Sequence, residues 1–210
     1  MENLRILPNL HFDLPEKEVF LRLGWNSSRV RADSECAGII REIARRAFAF
    51  CRPQGRYRIV GIRVVTEQGI ELENGVFLAG SIFARSCAGC CALWCAAVTV
   101  GREITAARDA AESVSDKSVY DAVGSESADA AMDFLHHNSI RELLRSGRDL
   151  SVRRYSAGYG DMPLTAQRIT DSFLNLADMG ITLNEHDFMI PEKSVTAWAG
   201  IRNITGDSQS

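Results

Sequence analysis

Ten consecutive residues, Cys91-Ala92-Leu93-Trp94-Cys95-Ala96-Ala97-Val98-Thr99-Val100, carry no charge and end at Gly101. A continuous apolar run of that length, closed by a turn residue, reads as a strand buried in the core. The rest of the chain can supply the cover it needs. With 210 residues, 46% hydrophobic and 24% charged, there is enough apolar material for a sizeable core. The expectation is a single domain over 1–210, with residues 1–52 as a helical subregion at its start.

Around this run, helical and strand patterns mix. Residues 1–12 read as irregular. A helix is expected from Leu14, opened by Pro15 and Glu16, striped by Val19, Phe20 and Leu23, and ended by Gly24. Asn26 to Arg31 read as loop. A second helix from Ser34 to Phe50 repeats Cys36, Ile39, Ile40, Ile43, Ala44 and Ala47 at helical spacing. Strands are expected at Arg56–Val65 and Gly69–Leu72, then a helix over Val76–Ala88. After the apolar run come a helix at Glu103–Ser113 and a long helical region at Asp116–Ser146. The latter is expected in two pieces if Gly124 and Ser125 kink it; otherwise they mark the close approach of another backbone. A short strand at Leu150–Arg154, an amphipathic helix at Leu164–Met179 capped by Gly180, and strands near 181–183, 188–190 and 194–201 complete the pattern, with a polar tail after Ile204. There is no regular βαβ alternation, which points to the α+β class.

Net charge is −3 with mixed signs, so nothing electrostatic recommends a nucleic acid or an anionic membrane as partner. No apolar run reaches transmembrane length, and Met1-Glu2-Asn3-Leu4-Arg5 lacks a signal-peptide core. A cytoplasmic location is the default that follows. Phosphate-binding loops, dinucleotide fingerprints, nucleophile elbows and kinase motifs are all missing.

Three features could carry chemistry. Cys87, Cys90, Cys91 and Cys95 have a spacing that suits zinc or an iron–sulfur cluster, or are buried thiols of the core. A polar stripe, Glu126, Asp129, Asp133 and His136 or His137, follows i, i+3 and i+4 spacing on the long helix. It is a solvated face with surface histidines, or one side of a site. The third is Arg153-Arg154-Tyr155-Ser156-Ala157-Gly158-Tyr159-Gly160-Asp161-Met162-Pro163, which is a tight turn or a ligand loop. Arginine offers a donor fork that fits a carboxylate, and glycine lets the backbone approach a ligand closely. Arg154 with one helix carboxylate would suit a zwitterion of amino-acid type, with Tyr155 and Tyr159 giving a ring face or hydroxyl.

The segment Arg154 to Leu164 resembles the S-adenosylmethionine-binding motif of the activation (reactivation) domain of cobalamin-dependent methionine synthase, in particular its stand-alone bacterial form. Met189-Ile190-Pro191-Glu192-Lys193-Ser194-Val195-Thr196-Ala197 resembles the C-terminal signature of that family. Asp121-Ala122-Val123-Gly124-Ser125 through Asp129 and Asp133 resembles its central helix. Arg52-Pro53, Tyr57-Arg58-Ile59 and Glu18 to Gly24 resemble its N-terminal part, so the likeness covers nearly the whole chain.

The resemblance implies a bent antiparallel β-sheet with flanking helices. It implies that Arg154 holds the carboxylate of S-adenosylmethionine, that Tyr155, Ala157, Gly158 and Tyr159 line the adenosyl side, and that Asp129 meets the ligand amine. Asp13 is the N-terminal candidate for a further carboxylate. It also implies cobalamin on a partner protein. That partner would be a corrinoid-binding methyltransferase or a methionine synthase lacking its own activation domain, with a flavodoxin-like electron donor. The chain has no catalytic zinc or corrinoid site of its own, so the implied role is an accessory to reductive remethylation. Asp129 stands where the family has a longer glutamate, Ala157 where proline is common, and Ala199 and Gly200 where an aromatic pair contacts the ligand. Two other readings stay open. One is a protein that binds S-adenosylmethionine or a related ligand without methyl transfer. The other is a metal or redox protein built on the cysteines.

Overall fold

The structure is a computed structural model that describes residues 2–25 and 35–204. The loop expected at Asn26–Arg31, the helix start at Ser34 and the tail after Ile204 lie outside the described residues. The elements run β1 (Arg5–Leu7), α1 (Glu16–Arg22), α2 (Glu35–Phe48), β2 (Gln54–Val65), β3 (Gly69–Leu72), β4 (Phe77–Ala79), α3 (Ser81–Ser86), β5 (Ala92–Thr99), α4 (Glu103–Ala110), α5 (Val114–Arg145), β6 (Arg148–Leu150), α6 (Ala166–Leu174), a 3-10 turn at Leu176–Met179, β7 (Thr182–Leu183), β8 (Met189–Ile190) and β9 (Ser194–Asn203).

β5 is the apolar run, and all eight of its residues are buried. It is central in an antiparallel sheet of order β4-β3-β2-β5-β9-β6, with β1 also paired to β2. Both faces of β5 are covered, which is why its sequence does not alternate. Trp94, Ala96 and Val98 pack with Met132 and Leu135 of α5. Leu93, Cys95 and Ala97 pack with Phe173 and Leu174 of α6 and with Trp198. Each buried indole finds an acceptor: Trp94 Nε1 donates to Ser139 Oγ at 3.1 Å, and Trp198 Nε1 to Thr170 Oγ1 at 3.0 Å. These two hydrogen bonds fix α5 and α6 on opposite faces of the sheet. β2 pairs with β5 along Gln54–Gly61 and with β3 from Ile62, and its register shifts between Ile62 and Val64. Such an irregularity bends a strand, and here it curls the sheet toward β3 and β4. The result is the α+β class with a bent antiparallel sheet and flanking helices.

A third apolar cluster joins the first helices to the rest. Val19 of α1 and Ile43, Ala44 and Ala47 of α2 pack with Val100, Ile104 of α4, and Val119 and Val123 of α5. α1 and α2 thus share their core with α4 and α5. No helix among the described residues is long and apolar enough to cross a membrane.

Five local expectations are corrected. Residues 5–7 form an edge strand on β2, with Arg5 opposite Tyr57. The helix expected over 76–88 is a strand, β4, followed by the shorter α3, because Gly80 at φ +142° breaks the pattern. The long helix is one piece of 32 residues rather than two. Gly124 causes no break: a Cβ there would lie 3.1 Å from Lys193 Cγ, so it marks the close approach of a side chain. The helix over 164–179 stops at Leu174, where Asn175 turns left-handed at φ 51°, and a 3-10 turn follows. The strand expected at 150–154 lies at 148–150, and only Tyr155 rejoins the sheet, as an isolated bridge to Trp198.

Candidate functional site

The loop after β6 is held along β9 by two hydrogen bonds. Tyr155 N donates to the Trp198 carbonyl at 2.8 Å, and Trp198 N to the Tyr155 carbonyl at 2.7 Å. Ser156 Oγ then reaches the Thr196 carbonyl at 2.8 Å. The chain next turns back on itself. Gly158 sits at φ +84°, where an L side chain is strained, and its N–H donates to the Met162 carbonyl at 3.0 Å. Asp161 pins the far side of the turn. Its carboxylate accepts from Ser81 N at 2.5 Å and Ile82 N at 3.0 Å, the first backbone donors of α3. The Ser81 hydroxyl first, and these backbone donors with it, hold the Asp161 carboxyl below the usual carboxylate range.

Between this loop, α5 and the β8–β9 connection runs a groove of about 1230 Å³. Its wall brings together all six site residues expected from the sequence: Asp129, Arg154, Tyr155, Ala157, Gly158 and Tyr159. They come from α5 and from the loop, more than twenty residues apart along the chain. Asp13 is not among them. It lines a separate depression with His11, Phe12 and Phe48.

The guanidinium of Arg154 is unevenly satisfied. Nη2 donates to Asp133 Oδ1 at 2.5 Å. Nη1 is shielded from water and has no hydrogen-bond partner among the described residues. A buried polar group without a partner costs roughly 1–3 kcal/mol. Asp129, one helical turn before Asp133, is open to solvent at the rim. Its carboxyl is nevertheless pushed above the ordinary range, first by partial desolvation and then by the Glu126 carboxylate. Arg22 of α1, itself ion-paired to Glu126, pulls the other way, as does Arg154.

The Tyr155 ring already has two neighbours. The Arg153 guanidinium carbon lies 5.2 Å from its ring centroid, and the Phe83 ring centre 5.0 Å away. The ring is therefore no free stacking platform, but its hydroxyl is buried without a partner among the described residues. Tyr159, 77% exposed at the mouth, keeps its ring available. Residues that sequence reasoning did not single out also line the wall. Gln167 accepts from Thr196 Oγ1 through its Oε1 at 2.7 Å, and Phe188, 58% exposed in the loop before β8, also lines the groove. No local pattern marks these residues, because the fold alone brings α6 and the β8 region to the loop.

Ala199 and Gly200 are not part of the wall. Ala199 is packed under α5, and Gly200 has the sulfurs of Cys90 and Cys87 where a Cβ would go. At these two positions the chain has no room for the aromatic pair of the resembling family.

The histidines expected on the helix surface divide. His137 is exposed, but His136 is buried beside Trp94 and its Nε2 donates to the Ser151 carbonyl at 2.9 Å. Burial, with Arg154 nearby, lowers its pKa to about 4. It serves to fix the start of the loop onto α5. The four clustered cysteines do not converge either. Cys87 is buried and Cys90 half-buried, Cys91 is exposed with its thiol toward the Ile201 carbonyl, and Cys95 is enclosed in β5. Among the described residues no group of three or more His, Cys, Asp or Glu is placed to hold a metal ion.

Comparison with known proteins agrees with this architecture. No protein-family model matches the chain, and no curated protein matches it. Among solved structures, the MetH reactivation domain bound to AdoHcy superimposes with a TM-score of 0.63, at 16% sequence identity, over 97% of this chain and 80% of that one. The likeness establishes that this chain has the reactivation-domain fold.

Proposed function

We propose that the chain binds S-adenosylmethionine in the groove between α5 and the 153–164 loop. There it acts as an accessory in the reductive remethylation of a corrinoid carried by a partner methyltransferase, such as a methionine synthase without its own activation domain. The observation that carries the reading is the juxtaposition of an unused, water-shielded donor on Arg154 with an open, half-desolvated carboxylate on Asp129. Two opposite poles in one groove fit the carboxylate and ammonium of an amino-acid zwitterion. A small shift of the Arg154 side chain would bring Nη1, a donor with no partner among the described residues, to the ligand carboxylate. The neighbouring fold binds AdoHcy, the demethylated form of the same molecule, which supports the choice of ligand.

Each residue then has a stated part. Arg154 takes the carboxylate while Asp133 holds the guanidinium in place from the other side. Asp129 takes the ammonium. The Tyr155 hydroxyl and the backbone from Ala157 to Gly158 face the remainder, and Tyr159 closes over the mouth. Bound there, S-adenosylmethionine supplies an electrophilic methyl group on its sulfonium, for transfer to the partner's corrinoid after electron delivery by a flavodoxin-like donor. Nothing in the groove needs to act as acid or base for that transfer. The chain's contribution is orientation.

Two experiments test the reading in order. Calorimetric titration of the full chain with S-adenosylmethionine is expected to show micromolar binding, and absence of binding at millimolar ligand refutes it. The chain is then mixed with a corrinoid methyltransferase lacking an activation domain, an electron donor and the ligand. Release of S-adenosylhomocysteine should require all four components. If ligand binds but no such product forms with any corrinoid partner, the chain is a binding protein without a role in methyl transfer.

A further inference from the structure

α3 ends at Cys87, and the chain turns back through Ala88 and Gly89 to Cys90. The turn is closed by a hydrogen bond from Cys90 N to the Cys87 carbonyl at 2.9 Å, and Gly89 takes φ +76°. A four-residue turn of this kind holds its outer Cα atoms within about 7 Å. A disulfide spans Cα separations of about 4.4–6.8 Å. Both sulfurs also converge on one point of β9. A Cβ added to Gly200 would lie 2.6 Å from Cys90 Sγ and 3.2 Å from Cys87 Sγ, so the two thiols occupy the space that any side chain there would need. None of these three residues lines the ligand groove.

The geometry points to Cys87 and Cys90 as a redox-active dithiol that exchanges with small disulfides, Cys90 attacking and Cys87 resolving. The two positions differ in the way such a pair requires. Cys90 is half-buried and reachable from solvent, whereas Cys87 is 1% exposed and can reach only its neighbour. Arg202 leans over the turn, its Nη2 donating to the Ala88 carbonyl at 3.0 Å, and brings a positive charge beside Cys90. The hydrogen bond from Cys87, with Arg202 in support, draws the Cys90 thiol down to about 6. The same hydrogen bond, together with burial, pushes Cys87 far up. Cys90 is thus a thiolate at neutral pH and Cys87 a thiol, which is the polarity needed for one to attack and the other to follow.

The exchange balances with a disulfide of the glutathione class as oxidant. The Cys90 thiolate attacks one sulfur, forms a Cys90–glutathione disulfide bond and expels a glutathione thiolate. Cys87 gives its proton to that thiolate, and its sulfur attacks Cys90 Sγ. The mixed bond breaks, the Cys87–Cys90 bond forms, and a second glutathione thiolate leaves and is protonated by solvent. Counted from the dithiol, the protein gives up two protons and two electrons, and one disulfide becomes two thiols.

The test uses the full chain, reduced and then equilibrated in mixtures of glutathione and its disulfide, acid-quenched and alkylated. Fragmentation of the tryptic peptide Ser86–Arg102 reads the linkage. The expected product is lighter by two hydrogens with Cys87 joined to Cys90. Cys87→Ser should stop at the glutathione adduct on Cys90, and Cys91→Ser should still form the link. A bond through Cys91 instead, or no loss of hydrogens at any ratio, overturns the proposal. A second measurement needs no variant: the pH dependence of Cys90 alkylation in the native chain. A midpoint near 6 is expected, and an ordinary thiol midpoint near about 8.5 contradicts the assigned roles.

Discussion

Two cation–carboxylate clusters lie along α5, and from the sequence they look alike. In one, Lys193 extends its stem over Gly124. Its Nζ meets Asp121 Oδ1 at 2.6 Å and Ser125 Oγ at 3.0 Å. Arg108 of α4 joins it, paired with Asp121 at 2.9 Å and with Glu192. In the other, two turns further on, Arg154 has Asp133 on one nitrogen and nothing on the next, while Asp129 stands beside them unpaired by any cation within ion-pair distance among the described residues. The first cluster is closed: every member is answered, and it staples the β8–β9 connection to α4 and α5. The second is open, and its unmet donor and raised carboxyl carry a cost that the fold alone does not repay. The completed network explains itself within the fold, and the incomplete one is where the proposed ligand would add the missing partners.

The contrast can be broken from the closed side first. Lys193→Ala removes a nearly buried ammonium from three partners, Asp121, Ser125 and Glu192, and leaves a gap over Gly124. It should lower stability by about 3 kcal/mol, toward the lower end for breaking a buried pair because Asp121 keeps water contact. Denaturant unfolding measures the loss, and affinity for S-adenosylmethionine should change less than threefold. An equally large loss of affinity with no loss of stability would reverse the roles assigned to the two clusters.

His136 sharpens the comparison by pH. Its folded pKa is depressed to about 4 from an ordinary 6.5, so between those values the unfolded chain binds more protons than the folded one. Stability is therefore full above about pH 6.5 and falls as the pH drops toward 4, by about 2 kcal/mol after allowing for incomplete burial. Unfolding curves at pH 7 and pH 4.5 check this, and His136→Phe should flatten that part of the profile.

On the open side the effects fall on binding. Asp129→Asn should weaken S-adenosylmethionine by about 1.5 kcal/mol, the scale of one charged hydrogen bond, with stability unchanged or slightly raised. The wild-type affinity should also decline in acid, beginning at a higher pH than for an ordinary carboxylate, because the Asp129 carboxyl is raised and only its ionised form attracts an ammonium. Asp133→Asn leaves Arg154 in place but removes its exposed partner. Its effect on affinity should be smallest, about 0.5 kcal/mol.

Legibility in the sequence followed the same divide. The buried strand was readable as an unbroken apolar run, and the one-sided helices because burial of one face imposes a period on them. β1 was not, since a three-residue edge strand has too few positions to show one. β4 was hidden because Phe77, Leu78, Phe83 and Ala84 also fit a helical period, and Gly80 was the signal that could have split them. At the site, Arg154 to Gly160 was legible because the loop is contiguous and resembles a known motif. Its support was not. Asp161 caps a helix eighty residues earlier, starting at Ser81, Gln167 comes from α6, and His136 is buried by β6 and Trp94. Such contacts depend on tertiary approach, which no local pattern records. The cysteines show the converse. Their spacing allowed a four-thiol centre or buried core thiols, and the turn after α3 and the start of β5 separate them into a facing pair, Cys87 and Cys90, and two others.

The central claim is that Arg154 is a ligand-binding cation, not a structural one. Calorimetric titration of S-adenosylmethionine into wild type and Arg154→Ala, alongside their unfolding curves, tests it most directly. The account predicts that affinity falls by roughly 1.5–3 kcal/mol while stability is unchanged or rises by up to about 1 kcal/mol, because the unmet donor goes with the side chain. Unchanged affinity, or a loss of stability as large as that of Lys193→Ala, would contradict it.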